Sequence, residues 1–254
     1  MMGKMEDECI DLTVTSPPYD NLRTYNGKIS QWSFDKFKDI AKELYRITKN
    51  GGVVVWIVSD ATINGSETGT SFRQALWFMS CGFRLHDTMI WDKQALTFPC
   101  PKRYHSCFEY MFVFSKGKIK TSNIIQDREN KHRGETVHGK DRLADGTTKK
   151  QNGYGKRKIK FYGARFNVWR MNAVQSSKER TGHPAQFPEQ LANDHIISWS
   201  NPGDTVFDPF MGSGTTGKMA LKNHRNFIGM EIDEQYFQIA KKRVEDAQHE
   251  PPTI

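Results

Sequence analysis

Long apolar runs are missing from this 254-residue chain. The longest, Val53 to Val58, is far short of the ~20 residues that cross a bilayer. No secretory leader precedes it, so a cytoplasmic protein with no membrane partner is expected. Cysteine is scarce: the four residues at 9, 81, 100 and 107 show no Cys-x-x-Cys spacing, which argues against a disulfide framework. Cys100, His105 and Cys107 lack an evident fourth ligand, so no metal is expected. No internal repeat is visible, and the length suits one substantial α/β domain with an inserted subdomain.

Acidic residues are depleted in one stretch. Residues 116–165 hold fifteen Lys and Arg against five Asp and Glu, a net +10 in a chain whose total is +8. Everything else is slightly acidic. A localised excess of this kind points to a polyanion-binding surface. Glycines at 134, 139, 146, 153, 155 and 163 and the weak periodicity predict an insertion with little regular structure. The expected organisation is a catalytic half over 1–115, a basic insert over 116–166 and a cofactor half over 167–254. Phe161, Tyr162 and Phe166 are expected to pack the end of the insert.

Outside the insert the patterning alternates strand and helix. Ile10 to Thr15 reads as a buried parallel strand, ended by Ser16-Pro17-Pro18-Tyr19, where adjacent prolines hold φ and donate no N–H. Residues 20–27 read as a loop. Phe34, Phe37, Ile40, Ala41, Leu44 and Ile47 recur at helical spacing, with Asn50-Gly51-Gly52 as the expected stop. Val53 to Val58 is a strand covered on both faces. A helix over 71–81, strands over 85–91 and 108–114, a helix over 187–199 and a strand over 205–207 follow. The last elements are a glycine turn, a helix through Leu221, a strand over 227–230 and a helix over 235–247.

Strand, glycine turn, helix, strand and acid form the nucleotide-binding half of a Rossmann-type unit. Gly212 and Gly214 let the backbone approach a ligand, and Glu231 ends the next strand where a carboxylate can accept ribose hydroxyls. Gly212 to Lys218 also spells Gly-x-x-x-x-Gly-Lys. Met219 then stands where a phosphate loop needs a hydroxyl for magnesium, which disfavours an NTPase.

Ser16-Pro17-Pro18-Tyr19 resembles the (Asp/Asn/Ser)-Pro-Pro-(Tyr/Phe/Trp) motif of the DNA amino-methyltransferases. The run Asp208-Pro209-Phe210-Met211-Gly212-Ser213-Gly214-Thr215-Thr216 looks like their S-adenosylmethionine loop, and residues 181–191 resemble the element before it. Catalytic motif, insert, then cofactor loop is the order of the β group. That order implies a circularly permuted, Rossmann-like methyltransferase sheet with an inserted target-recognition region. Relatives usually begin with one more strand. Only nine residues precede Ile10, so that N-terminal edge strand is expected to be missing, with weak cofactor binding or an adenine pocket completed by another chain as the consequence.

The resemblance implies methyl transfer from S-adenosylmethionine to an exocyclic amine of a base flipped out of double-stranded DNA. Ser16 and the Pro17 carbonyl would accept from the amine, beside Pro18, and Tyr19 would stack on the base. Asp208, Pro209, Phe210, Gly212, Ser213, Gly214 and Thr215 would shape the cofactor pocket, with Glu231 on the ribose. His183, Gln186 and Phe187 would lie near the amino-acid moiety. Lys102 and Arg103, and Lys156, Arg157 and Lys158 of the insert, are the candidate nucleic-acid contacts. Serine at the first motif position is more typical of cytosine-N4 enzymes, with adenine N6 as the alternative. A DNA-binding protein that keeps the fold without turnover is a second alternative. The Pro99-Cys100 pair of carbon-5 enzymes lies on the wrong side of the cofactor loop. The family also admits a homodimer and a cognate restriction enzyme as partners.

Overall fold

The computed structural model describes residues 2–19, 24–25, 28–29, 32–94, 102–174, 181, 183 and 185–249. It divides into two units: residues 124–166, and a larger unit made of the rest.

The larger unit begins with β1 (Ile10–Thr15), α1 (Phe34–Ile47), β2 (Thr48–Val58), α2 (Thr70–Ser80), β3 (Arg84–Asp92) and β4 (Phe108–Ser115). After the insert come β5 (Val168–Arg170), α3 (Glu189–Trp199), β6 (Thr205–Asp208), α4 (Thr215–Lys222), β7 (Asn226–Gly229) and α5 (Glu234–His249). One sheet runs β5-β3-β4-β2-β1-β6-β7. Within it β4 is antiparallel to both neighbours, while β2, β1, β6 and β7 are mutually parallel. Among the described residues β7 is an edge strand, with nothing paired beyond it.

Side chains along β2 alternate between two cores. Val53, Val55 and Ile57 face a core built with α3 and α4, whereas Val54, Trp56 and Val58 face the aromatic core under α1 and α2. Both faces are therefore apolar, as a covered parallel strand requires. Trp56 is fully buried and donates its indole N–H to Gln74 Oε1 at 2.8 Å, which satisfies the one polar atom the ring brings inside.

Three expected boundaries differ. Helix α1 stops at Ile47, where Thr48 donates its hydroxyl to the Leu44 carbonyl at 2.6 Å. Asn50-Gly51-Gly52 lies within β2 instead, and the register against β1 jumps from Ile10↔Thr48 to Leu12↔Val53. That is a bulge, and Gly52 is needed in it because a Cβ would sit 3.0 Å from the Asp11 and Lys49 carbonyls. Helix α3 starts at Glu189, not Phe187. Pro188 caps it, and the residue before a proline is pushed to extended backbone. Strand β5 was not expected at all.

The smaller unit has more order than its composition suggests. Lys140–Arg142 pairs antiparallel with Thr148–Lys150, and Arg128–Glu129 with Tyr162–Gly163. Phe161, Tyr162 and Phe166 are not packed away: each is more than half exposed, and the Arg128 guanidinium lies 4.8 Å over the Phe166 ring. Residues 116–123 belong to the larger unit, where Gly51 donates to the Lys116 carbonyl and Lys120 to that of Gly51.

Adding a methyl at the bulge tests its tightness. Gly52→Ala should lower unfolding stability by about 1–3 kcal/mol in a denaturant titration, because the new Cβ would meet the Thr48 methyl at 2.9 Å and the Asp11 and Lys49 carbonyls at 3.0 Å, and the carbonyls cannot step aside.

Candidate active site

In a parallel array, every strand delivers its carboxyl end to the same edge. Strand β1 leads to β2 on one side and β6 leads to β7 on the other, so the chain reverses direction between β1 and β6. A crevice opens at such a switch point. The proline turn after β1, the glycine loop after β6 and the acid after β7 therefore meet there.

A buried hydrogen bond joins the first two. Thr15 Oγ1 donates to Asp208 Oδ1 at 2.6 Å, and the Phe210 N–H donates to the same oxygen at 3.0 Å. Thr216 adds a bond to the Val14 carbonyl at 3.1 Å. Asp208 is thus beneath the crevice rather than on its wall. Burial pushes its carboxyl up to about 7, against the downward pull of the Thr15, Phe210 and Thr216 bonds.

The glycine loop is tight. Gly214 has φ +78°, and a Cβ there would meet Ala240 backbone at 3.0 Å; a Cβ on Gly212 would meet the His183 ring at 2.9 Å. Arg243 supports the loop through the Ser213 carbonyl (3.0 Å) and Thr215 Oγ1 (3.2 Å). Arg243 and Lys218 both bind Glu189, at 2.6 and 2.8 Å. Lys218 is therefore committed to α3, which removes the lysine a phosphate loop would need. Glu231 accepts from the N–H groups of Gly212, Ile232 and Asp233, each at 2.9 Å. With roughly four lone-pair positions on a carboxylate, about one is left for a ligand hydroxyl.

Two cavities flank Ser16. The larger, about 640 Å³, is walled by Phe210, Gly212, Ser213, Thr215, Glu231 and His183 among others, Gln186 and Phe187 included. The smaller, about 100 Å³, is lined by Ser16, Pro17, Tyr19, Trp91, Lys93, Glu109 and Phe187. Ser16 lies on both walls, as do Gln186 and Phe187. Pro18 faces the larger cavity. Pro209 and Gly214 are not among the lining residues of either.

Several site residues escaped the sequence reading. Trp32 stands edge-on to Phe210 with ring centroids 5.3 Å apart, and Tyr236 stands edge-on to His183 at 4.5 Å. Glu109, 7% exposed, accepts from Tyr19 Oη at 2.7 Å and from Lys93 Nζ at 2.9 Å. A lone carboxylate within the apolar run 108–114 was the available signal. Lys102 and Arg103 are exposed, and Arg103 engages Glu67 and the Gly65 carbonyl. Lys156, Arg157 and Lys158 are exposed on the smaller unit, with Lys158 Nζ on Thr136 Oγ1 at 3.2 Å. Phe98 to Pro101, with the Pro99-Cys100 pair, and Gly182 and Pro184 lie outside the described residues. Among the described residues no three metal-ligating side chains cluster, and no helix is long and apolar enough to cross a membrane.

The raised Asp208 carboxyl makes a pH prediction. It keeps its proton in the fold up to about pH 7 and loses it near 3.8 when unfolded. The stabilisation is complete below the unfolded value and is lost as pH rises through the folded one. The stability of the wild type relative to Asp208→Asn should therefore fall by about 2 kcal/mol between pH 5 and pH 8 in urea titrations.

Comparison with known proteins gives the family. The N6/N4 methyltransferase family model, described as DNA methylase, matches residues 10–242. The orphan methyltransferase M.BamHII of Bacillus amyloliquefaciens is 54% identical over 97% of this chain and 92% of its own. The DNA adenine methyltransferase YhdJ of Escherichia coli K12 is 28% identical over 98% of this chain and 80% of its own. Among solved structures, the cytosine-N4-specific PvuII DNA methyltransferase superposes with a TM-score of 0.70 at 21% identity, covering 98% of this chain and 87% of that one. A putative DNA modification methylase of Thermus thermophilus, solved with S-adenosyl-L-methionine, gives 0.64 at 21% identity over 97% and 91%. A family match across nearly the whole length, with a relative identical at more than half of the aligned positions, places this chain in the N6/N4 family of DNA methylases.

Proposed function

We propose that this DNA methyltransferase moves the methyl of S-adenosylmethionine to N4 of a cytosine flipped out of double-stranded DNA. The carrying observation is that Ser16 stands on the wall of both cavities, so a ligand in each would meet there.

The larger cavity fits the methyl donor by its chemistry. Its volume lies in the usual range for a small-molecule site. Glu231 is pre-oriented to accept a ribose hydroxyl, and Phe210 and Tyr236 give the walls apolar surface. His183, Gln186, Phe187 and the backbone of Gly212, Ser213 and Thr215 would hold the amino-acid end. A bound S-adenosylmethionine would supply the methyl: the S–C bond electrons would stay on sulfur, the amine lone pair would form the N–C bond, and the surplus amine proton would leave to water.

An exocyclic amine conjugated to its ring is a poor nucleophile. Ser16 Oγ and the Pro17 carbonyl, both at the small cavity, would accept its two hydrogens and turn the lone pair toward the methyl. At about 100 Å³ the small cavity is on the scale of one flipped base. Serine at the first motif position is what favours cytosine over adenine.

The smaller unit would read the duplex. On its ribbon, Lys140 pairs with Lys150 and Arg142 with Thr148, so these four share one face, and Asp141 and Lys149 share the other. All six are exposed. Like charges directly opposite are unfavourable in a free ribbon and become favourable against phosphates, and a two-stranded ribbon fits the major groove.

Two measurements test this. Tritiated methyl transfer to unmethylated duplex, followed by nucleoside mass spectrometry, should yield N4-methylcytosine, and Ser16→Ala should slow turnover about 10²–10³-fold. N6-methyladenine would overturn the base assignment. DNA bound without any methylated nucleoside would favour a form that has lost turnover. For the ribbon, replacing Lys140 and Lys150 by Ala should lower the slope of log binding constant against log salt by about 2, with thermal stability unchanged.

A further inference from the structure

Behind Ser16 runs a chain of hydrogen bonds with a direction. Ser16 Oγ lies 2.8 Å from Tyr19 Oη, Tyr19 Oη lies 2.7 Å from Glu109 Oε2, and Lys93 Nζ lies 2.9 Å from Glu109 Oε1. The Ile57 carbonyl is also near Tyr19 Oη, at 3.4 Å. A phenol has one proton. Both the carboxylate, charged beside the Lys93 ammonium, and the carbonyl can only accept it. The Tyr19 proton therefore points away from Ser16, and the Ser16–Tyr19 bond must be made by the serine proton.

We infer that Glu109, held by Lys93, is a positioning residue that sets the polarity of Ser16 through Tyr19. With its proton committed to Tyr19, Ser16 presents only lone pairs to the small cavity. That is the state an amine donating N–H needs. A serine proton pointing the other way would bond to the amine lone pair and occupy the electrons that attack the methyl. The inference rests on the proposed amine methylation and adds to it the reason a hydroxyl, able to donate or accept, behaves as an acceptor.

The relay can be reversed by one atom. In Glu109→Gln, the ammonium of Lys93 requires the amide oxygen on its side, which turns the NH₂ toward Tyr19. Tyr19 then accepts from Gln, and its proton turns to its nearer neighbour, Ser16, since the Ile57 carbonyl is at the edge of bonding distance. The serine proton is displaced into the cavity. Removing the ammonium by Lys93→Met frees the amide to rotate its oxygen back toward Tyr19 and restores the original direction.

The test is single-turnover methyl transfer by the full chain on duplex DNA, with S-adenosylmethionine affinity measured by calorimetry. Glu109→Gln should cut the rate about 10²–10³-fold, the range for loss of one oriented polar group, with cofactor affinity within about threefold of wild type. Glu109→Gln/Lys93→Met should then recover at least about tenfold of that loss. Tyr19→Phe, which removes the acceptor for the serine proton and leaves the ring, should also fall, and it carries the test if the Gln variant does not fold. A Glu109→Gln rate close to wild type, a folded double variant no faster than Glu109→Gln, or full activity in Tyr19→Phe would each overturn the relay. Wild-type enzyme that transfers no methyl to DNA would instead overturn the amine-methylation reading beneath it.

Discussion

The bond between Thr15 and Asp208 is the constraint on which the site depends. Its two residues are 193 positions apart, and each ends a strand that carries a motif. Parallel pairing of Leu12 with Val206 and Thr13 with Phe207 brings the strands together, but backbone pairing alone does not orient the loops beyond them. Asp208 does so by accepting from Thr15 and from the Phe210 N–H on one and the same oxygen. Losing Asp208 would leave the buried Thr15 hydroxyl without its acceptor where water does not reach. Such an arrangement is costly to break, and it fixes the proline turn against the glycine loop.

The same logic of limited proton supply runs through the rest of the crevice. Asp208 is buried so deeply that it tends to keep its proton, whereas Glu231 is surrounded by three N–H donors. Glu109 has a lysine on one oxygen and a tyrosine on the other. These three carboxyls sit in three environments and do three different things: one locks strands, one presents an acceptor at the cavity wall, one directs a hydroxyl. Residue type alone would not separate them. Burial and partner count do.

What was legible in the sequence was whatever is carried by contiguous residues. The stripe from Phe34 to Ile47 is a helix because its apolar positions repeat at 3.6, and Val53 to Val58 is a strand because it is apolar on both faces. The proline turn and glycine loop are contiguous strings, so they too could be read. Strand β5 could not: three residues with only Trp169 buried acquire strand geometry solely by pairing with Ile90, Trp91 and Asp92. Gly51 and Gly52 misled because a glycine pair after a helix is a common stop, while a bulge is visible only once the partner strand is known. Glu109 was hidden for a related reason. Its charge stands out locally, but Tyr19, its partner, is 90 positions away.

Base choice shows where family membership stops informing and geometry must take over. One relative is named for adenine, and one structure of the same fold is named for cytosine N4. Both bases offer an exocyclic amine on a six-membered ring, so the acceptors that orient the amine need not differ. What differs is the second ring of adenine, which requires room beyond the amine. In this chain the small cavity beside Ser16 is walled by Trp91, whose indole N–H donates to the Met171 carbonyl at 2.8 Å, and by Phe187, which precedes the proline that caps α3. On the proposed reading, a choice between the two bases would rest on the room these walls leave as well as on the serine.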